Sequence, residues 1–107
     1  MRRMKYNEWI EKDQDGKDQV VNLTGLVNYL INNKNPNEMP RGLDKFKIFS
    51  KLVNVFEKGK ENKEYVFEEE EYKFVKNLIE KDIPSQWGLN KDILGTINEF
   101  LNAKEEW

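Results

Sequence analysis

Leu43-Asp44-Lys45-Phe46-Lys47-Ile48-Phe49-Ser50-Lys51-Leu52-Val53-Asn54-Val55-Phe56-Glu57-Lys58 is the stretch that decides the fold. Phe46, Phe49, Leu52, Val53 and Phe56 recur on one side, Ile48 and Val55 widen the face, and at 100° per residue the apolar arc covers roughly half the circumference. Such an arc predicts a central helix that touches two or more neighbours. The remaining arc carries Lys47, Lys51, Asn54 and Lys58, a basic stripe turned to solvent.

Downstream, residues 59–64 read as a loop and Tyr65-Val66-Phe67 as a short extended segment. Glu68 to Lys81 then forms a helix on Phe74, Val75, Leu78 and Ile79, ending before Ile83-Pro84 because a residue preceding proline avoids the α region. Ser85-Gln86-Trp87-Gly88 is a turn whose indole folds inward as a plug between the last two helices. Asn90 caps the final helix, with Ile93, Leu94, Ile97, Phe100 and Leu101 on its stripe.

Upstream, Leu23, Leu26, Val27, Leu30 and Ile31 share one face of a helix with Asn22 or Thr24 as N-cap, stopped by the Asn32 to Pro36 run. Residues 33–42 read as a loop. Asp13-Gln14-Asp15-Gly16, between Trp9-Ile10 and Val20-Val21, suggests a two-residue hairpin turn, since both central positions of that turn favour positive φ. The element holding Met4, Tyr6, Trp9 and Ile10 is either a short helix or the first strand of that hairpin, and residues 1–4 read as a flexible tail. The expected fold is mainly α: a small single-domain bundle over residues 1–107, of about four helices, with a short N-terminal β-hairpin as an option.

Composition excludes whole classes of chemistry. The 107 residues contain no cysteine and no histidine, so disulfides and thiol nucleophiles are ruled out. Zinc lacks its preferred ligands, and triad-type catalysis lacks its usual base. Carboxylate or lysine chemistry alone survives. Absence of a long apolar run removes a membrane span, and Met-Arg-Arg-Met-Lys is followed by no apolar signal core, so a soluble cytoplasmic protein is expected, in the host cell if viral. The formal net charge of −2 hides an asymmetry: residues 1–64 sum to +3 and residues 65–107 to −5. The halves attract each other, and each can attract a partner.

Glu68-Glu69-Glu70-Glu71 is the densest charge feature. A helix N-terminus is where carboxylates cost least, because free N–H groups and the macrodipole favour negative charge there. Rotation places Glu71 on the apolar stripe, its carboxylate turned back to the first-turn N–H groups, and leaves Glu69 and Glu70 exposed to meet a partner. Four consecutive helical residues diverge, whereas a hard cation needs converging ligands, so no metal site is expected. Glu11-Lys12-Asp13-Gln14-Asp15-Gly16 resembles the first half of a calcium loop. It departs from that pattern at Asp18, where an apolar residue belongs, and at Asn22 in place of a bidentate glutamate, and reads as a solvated turn.

Lys47, Lys51 and Lys58 align on one face, as phosphate binding requires, with Lys60 and Lys63 following. No arginine lies on that stripe, and the sequence pI is near 5.3. Trp107 is either frayed or an interface anchor, tryptophan being enriched at binding hot spots.

From Asp15 onward the order of features is Asp-Gly-Lys, an apolar helix, Gly-Leu-Asp-Lys-Phe-Lys-Ile-Phe, the Tyr65 to Ile79 segment and Gln86-Trp87-Gly-Leu-Asn. It resembles small uncharacterised accessory proteins encoded by phages and prophages, over most of the chain. The resemblance implies an accessory or assembly role exercised by binding, with no catalytic residues to carry over.

The leading expectation is a non-enzymatic protein-interaction or assembly module acting through complementary charged surfaces, with Lys47, Lys51, Lys58, Glu69, Glu70 and Trp107 as partner-binding residues. Its partner is another protein or a second copy, and no cofactor, metal or small-molecule substrate is expected. The alternative is a nucleic-acid-binding helical domain using the lysine stripe. An enzyme would need Glu71 to act with a lysine inside a pocket.

Overall fold

The computed structural model describes residues 1–34, 37 and 41–103. Four α-helices and two antiparallel strand pairs make up these residues: β1 (Arg2–Lys5), β2 (Glu8–Lys12), β3 (Asp18–Asn22), α1 (Leu23–Asn32), α2 (Leu43–Asn62), β4 (Glu64–Phe67), α3 (Glu69–Asp82) and α4 (Lys91–Leu101), with a 3-10 turn over Ser85–Leu89 before α4. Helices plus a short hairpin match the expectation.

Asparagine side chains start two of the helices and also tie them to the strands. Asn22 Oδ1 accepts from Gly25 N at 2.9 Å, while its Nδ2 donates to the Tyr6 hydroxyl at 3.2 Å. Asn90 Oδ1 accepts from Asp92 N at 2.9 Å and Ile93 N at 3.2 Å, and its Nδ2 donates to Glu11. Each cap therefore satisfies orphan N–H groups and holds the hairpin region with the same amide.

The turn between β2 and β3 is longer than the sequence suggests. Lys12 pairs with Asp18, so residues 13–17 form a five-residue loop in place of a two-residue turn. Asp13 organises it: Oδ1 accepts from Asp15 N and Lys17 N, each at 2.9 Å, and Gly16 takes the positive φ of 78°. The carboxylate that looked like a calcium ligand is occupied by its own backbone.

Residues 1–4 are not a tail. Arg2–Lys5 pairs antiparallel with β4, Met4 facing Tyr65 and Arg2 facing Phe67 in register. Strand β4 has unpaired backbone groups that only another strand can satisfy in full, and β1 supplies them. One face of this pair is core: Met4, Tyr65 and Phe67 are buried. The other face carries Arg3, Glu64 and Val66.

Helix α2 also runs further than expected, to Asn62, so residues 59–62 are helical, not loop. Gly59 is required there because a Cβ on it would sit 2.3 Å from Tyr65 Cδ1. Lys63 stops the helix in the left-handed region, φ 60°, its N–H bonded to the Gly59 carbonyl. Of the broad apolar arc of α2, Leu52 and Phe56 are buried against β4 and α3. Phe49 and Phe74 meet edge to face with centroids 5.0 Å apart. Leu43, Phe46 and Val53 are 66%, 68% and 56% exposed, in contrast to the expected core positions of Phe46 and Val53. Periodicity shows which residues share a face, not whether a neighbour covers it.

The core joins α1, α3 and α4 to the β1–β4 pair through Leu23, Leu26, Leu30, Tyr72, Val75, Leu78, Ile97 and Phe100. Tyr72 lies 4.5 Å from Phe100, ring to ring, and its hydroxyl donates to the Phe100 carbonyl at 2.7 Å. Trp87 is half-buried, resting on Tyr29 of α1 with ring centroids 5.4 Å apart. No helix among the described residues is long and apolar enough to cross a membrane.

Candidate functional site

The outer face of the β1–β4 pair, the second half of α2 and the first turn of α3 enclose an open groove of about 970 Å³. Its lining includes the cations Arg3, Lys51 and Lys58 and the carboxylates of Glu64 and Glu68 to Glu71, and Arg3 Nη1 donates to Glu64 Oε1 at 2.8 Å. The lysine stripe and the glutamate run, separate in sequence, thus face the same space. Local sequence explains the meeting: Lys63 ends α2 and sends β4 back along it, which delivers Glu68 to Glu71 beside Lys51.

The expected site residues divide. Lys51 Nζ lies 3.9 Å from Glu70 Oε2, a solvent-exposed pair that contributes little stability. Lys58 lines the same groove, while Lys47 lies in a neighbouring depression of about 690 Å³ with Phe74 and Lys73. Lys47 and Lys58 have no ion pair among the described residues. Glu69, expected to be exposed, is half-buried: its Oε1 accepts from Arg2 Nε at 2.8 Å. Because residues 2–5 form a strand instead of a tail, Arg2 is held over the first turn of α3. Trp107 lies outside the described residues.

Glu71 is where position and bonding part company. It is 2% exposed, as its place on the stripe with Val75 and Leu78 requires. Its carboxyl does not turn back to cap the helix: Glu68 occupies the N-cap position without a side-chain cap bond. Oε2 of Glu71 is buried with no hydrogen-bond partner among the described residues. The stripe that buries the side chain also holds it away from the N–H groups of its own turn. A buried polar atom left without a partner costs about 1 to 3 kcal/mol.

Glu71 is one of the residues lining the groove, together with Arg3, Lys51 and Lys58, although its side chain is buried. No cluster of three or more metal-ligating side chains is present among the described residues. Arg2 and Arg3 escaped the sequence reading as site residues. The signal that pointed to them was the strand at Tyr65 to Phe67, which needs a partner. No protein-family model, curated protein or solved structure matches this chain.

Proposed function

We propose that this chain is a non-enzymatic interaction module that self-associates through the outward face of α2. The observation that carries the reading is the exposure of Leu43, Phe46 and Val53 on one side of that helix, next to Lys47, Lys51 and Lys58. A row of large apolar side chains rimmed by charge is the usual make-up of a protein contact. The apolar row supplies buried area. Lys47 and Lys58, without ion pairs in the described chain, supply cations for the carboxylates of a neighbouring copy, whose residues 65–107 sum to −5. The accessory and assembly role implied by the phage-protein resemblance agrees with this reading.

Two observations disfavour the nucleic-acid alternative. Glu70 stands 3.9 Å from Lys51, and Glu64 and Glu68 share the groove with Lys58. A polyphosphate laid on the stripe would meet these carboxylates. Light scattering on the eluting protein at low and high salt tests the proposal: assembly above monomer mass supports it, and a strict monomer in both contradicts it. Salt-sensitive retardation of DNA or RNA in a gel at about 50 mM salt, where phosphate contacts are least screened, would favour the alternative.

A further inference from the structure

We infer that β2 is a self-complementary edge strand: two copies of the chain pair antiparallel along Glu8–Lys12, with Ile10 on the two-fold axis, and merge their hairpins into one sheet. Strand β2 pairs with β3 alone, and among the described residues no backbone hydrogen bond joins its other edge to another element. Asp13 N donates to the Lys17 carbonyl at 2.9 Å, and in an antiparallel ladder bonded pairs alternate with unbonded ones. Counted back through the register, Glu11–Gln19 and Trp9–Val21 are the bonded pairs. The N–H and C=O groups of Glu8, Ile10 and Lys12 therefore point away from β3, to the open edge. An edge of this kind is a template for another strand.

The exposed side chains select which strand. Glu8, Ile10 and Lys12 all face solvent, in the order acid, apolar, base. Turned antiparallel about Ile10, that order matches itself: Glu8 of each copy meets Lys12 of the other, and Ile10 meets Ile10. Val20 lies directly opposite Ile10 within the hairpin, and the two are 61% and 65% exposed. Pairing extends one apolar row from β3 through both β2 strands to the far β3, with an opposite-charge pair on either side of it. Register and parity agree, because the residues that offer backbone groups to the edge are the ones whose side chains match. A slip by two residues sets Ile10 against Glu8 or Lys12, and a parallel arrangement sets Glu8 against Glu8. Strand β3 presents Asp18, Val20 and Asn22 and lacks the basic member. Lys12 has no ion pair among the described residues. Glu8 uses only Oε2 for the Tyr6 hydroxyl, which leaves Oε1 for the second copy.

This contact is separate from the outward face of α2. Where both form, two different two-fold contacts alternate and join copies end to end. The edge buries little area, so its affinity is weaker than about millimolar. Covalent trapping accumulates such encounters where sedimentation does not.

The chain has no cysteine, so a single one reports its own position. Ile10→Cys and Val20→Cys, each in the full chain, are treated with a short bifunctional thiol reagent. Bonded antiparallel partners stand about 5.5 Å apart at Cα, whereas Val20 is about 14 Å from its mate across the joined sheet. Ile10→Cys is expected to give covalent dimer about tenfold faster than the similarly exposed Val20→Cys. Adding Phe46→Asp is expected to change that rate by less than about twofold. Lys12→Glu sets like charges together and is expected to slow trapping about tenfold. The double exchange Glu8→Lys with Lys12→Glu is expected to restore the rate to within about threefold.

No dimer from Ile10→Cys, a rate equal to that of Val20→Cys, or loss of trapping on adding Phe46→Asp overturns the proposal. A Lys12→Glu chain that traps as fast as its parent, or a double exchange that fails to restore the rate, overturns it as well. Trapping that persists in a chain whose wild type sediments as a monomer would retire the α2 contact and leave the edge pairing standing.

Discussion

Arg2 Nε donates to Glu69 Oε1 across 2.8 Å, joining β1 to the first turn of α3. The same guanidinium donates from Nη1 to the Ala103 carbonyl at 2.7 Å and lies 4.3 Å above the Tyr72 ring. One side chain thus clasps the N-terminal strand, α3 and the end of α4. Arg2→Ala is expected to cost about 2 kcal/mol, since it removes a charged hydrogen bond to a carbonyl as well as the ring contact. Glu69→Gln, whose pair is a quarter to a third exposed, is expected to cost about 0.5 kcal/mol. Urea unfolding of both variants checks the order. Equal, negligible effects would return residues 1–4 to the status of a tail.

Burial pushes the Tyr72 phenol above its usual pKa of 10.0, with the charge of Arg2 partly offsetting it. Tyr65 is raised by burial against a counteracting hydrogen bond to Thr24, and Tyr6 by burial and its bond to Glu8. A phenol raised in the fold contributes stability that is complete below the unfolded value and lost as pH climbs through the folded one. Stability set by these groups is therefore expected to stay level up to about pH 9.5 and to fall above about pH 10. Tyr72→Phe is expected to cost about 1 kcal/mol at neutral pH through the lost bond to Phe100, and to make the alkaline decline shallower. Urea midpoints at neutral and alkaline pH check both.

Gly59 and Gly95 both lie within helices, yet alanine is expected to act oppositely at them. At Gly59 the new Cβ meets the Tyr65 ring at 2.3 Å, so Gly59→Ala is expected to cost about 2 to 3 kcal/mol. At Gly95 nothing lies within 4 Å, and Gly95→Ala is expected to add about 0.5 to 1 kcal/mol by helix propensity. Thermal unfolding of the two variants reads the contrast directly.

Lys63 holds a backbone conformation suited to glycine, at φ 60°. Lys63→Gly removes that cost, on the order of 1 kcal/mol, and forgoes the weak contact of its ammonium 5.4 Å from the Tyr6 ring. A net gain of about 0.5 kcal/mol is expected, measurable as a small rise in the urea midpoint.

All four helices were legible from apolar spacing, and Asn22 and Asn90 from their capping chemistry. The end of α2 was not. Gly59 resembles a helix stop, and its actual role, clearing space for Tyr65, is visible only once β4 folds back. The pairing of β1 escaped because Arg2 and Arg3 carry no apolar signal, although an isolated strand at Tyr65 implied a missing partner. At the site, the lysine stripe and the glutamate run were each legible as charged surfaces, whereas the approach of Lys51 to 3.9 Å from Glu70 is a product of the fold. The division of labour among the glutamates was not fully readable: rotation buried Glu71 correctly, but only tertiary structure hands Glu69 to Arg2 and leaves Glu71 Oε2 without a donor.

Sedimentation velocity of the full chain, from about 10 to 500 μM, tests the outward face of α2 most directly, since weak association declares itself over that range. The wild-type chain is expected to shift with concentration from 12.8 kDa towards a larger species, and Phe46→Asp to remain monomeric with unchanged far-UV circular dichroism. A wild-type chain that sediments as a monomer throughout, or a Phe46→Asp variant that assembles as readily as the wild type, would contradict the assignment of that face as a contact surface.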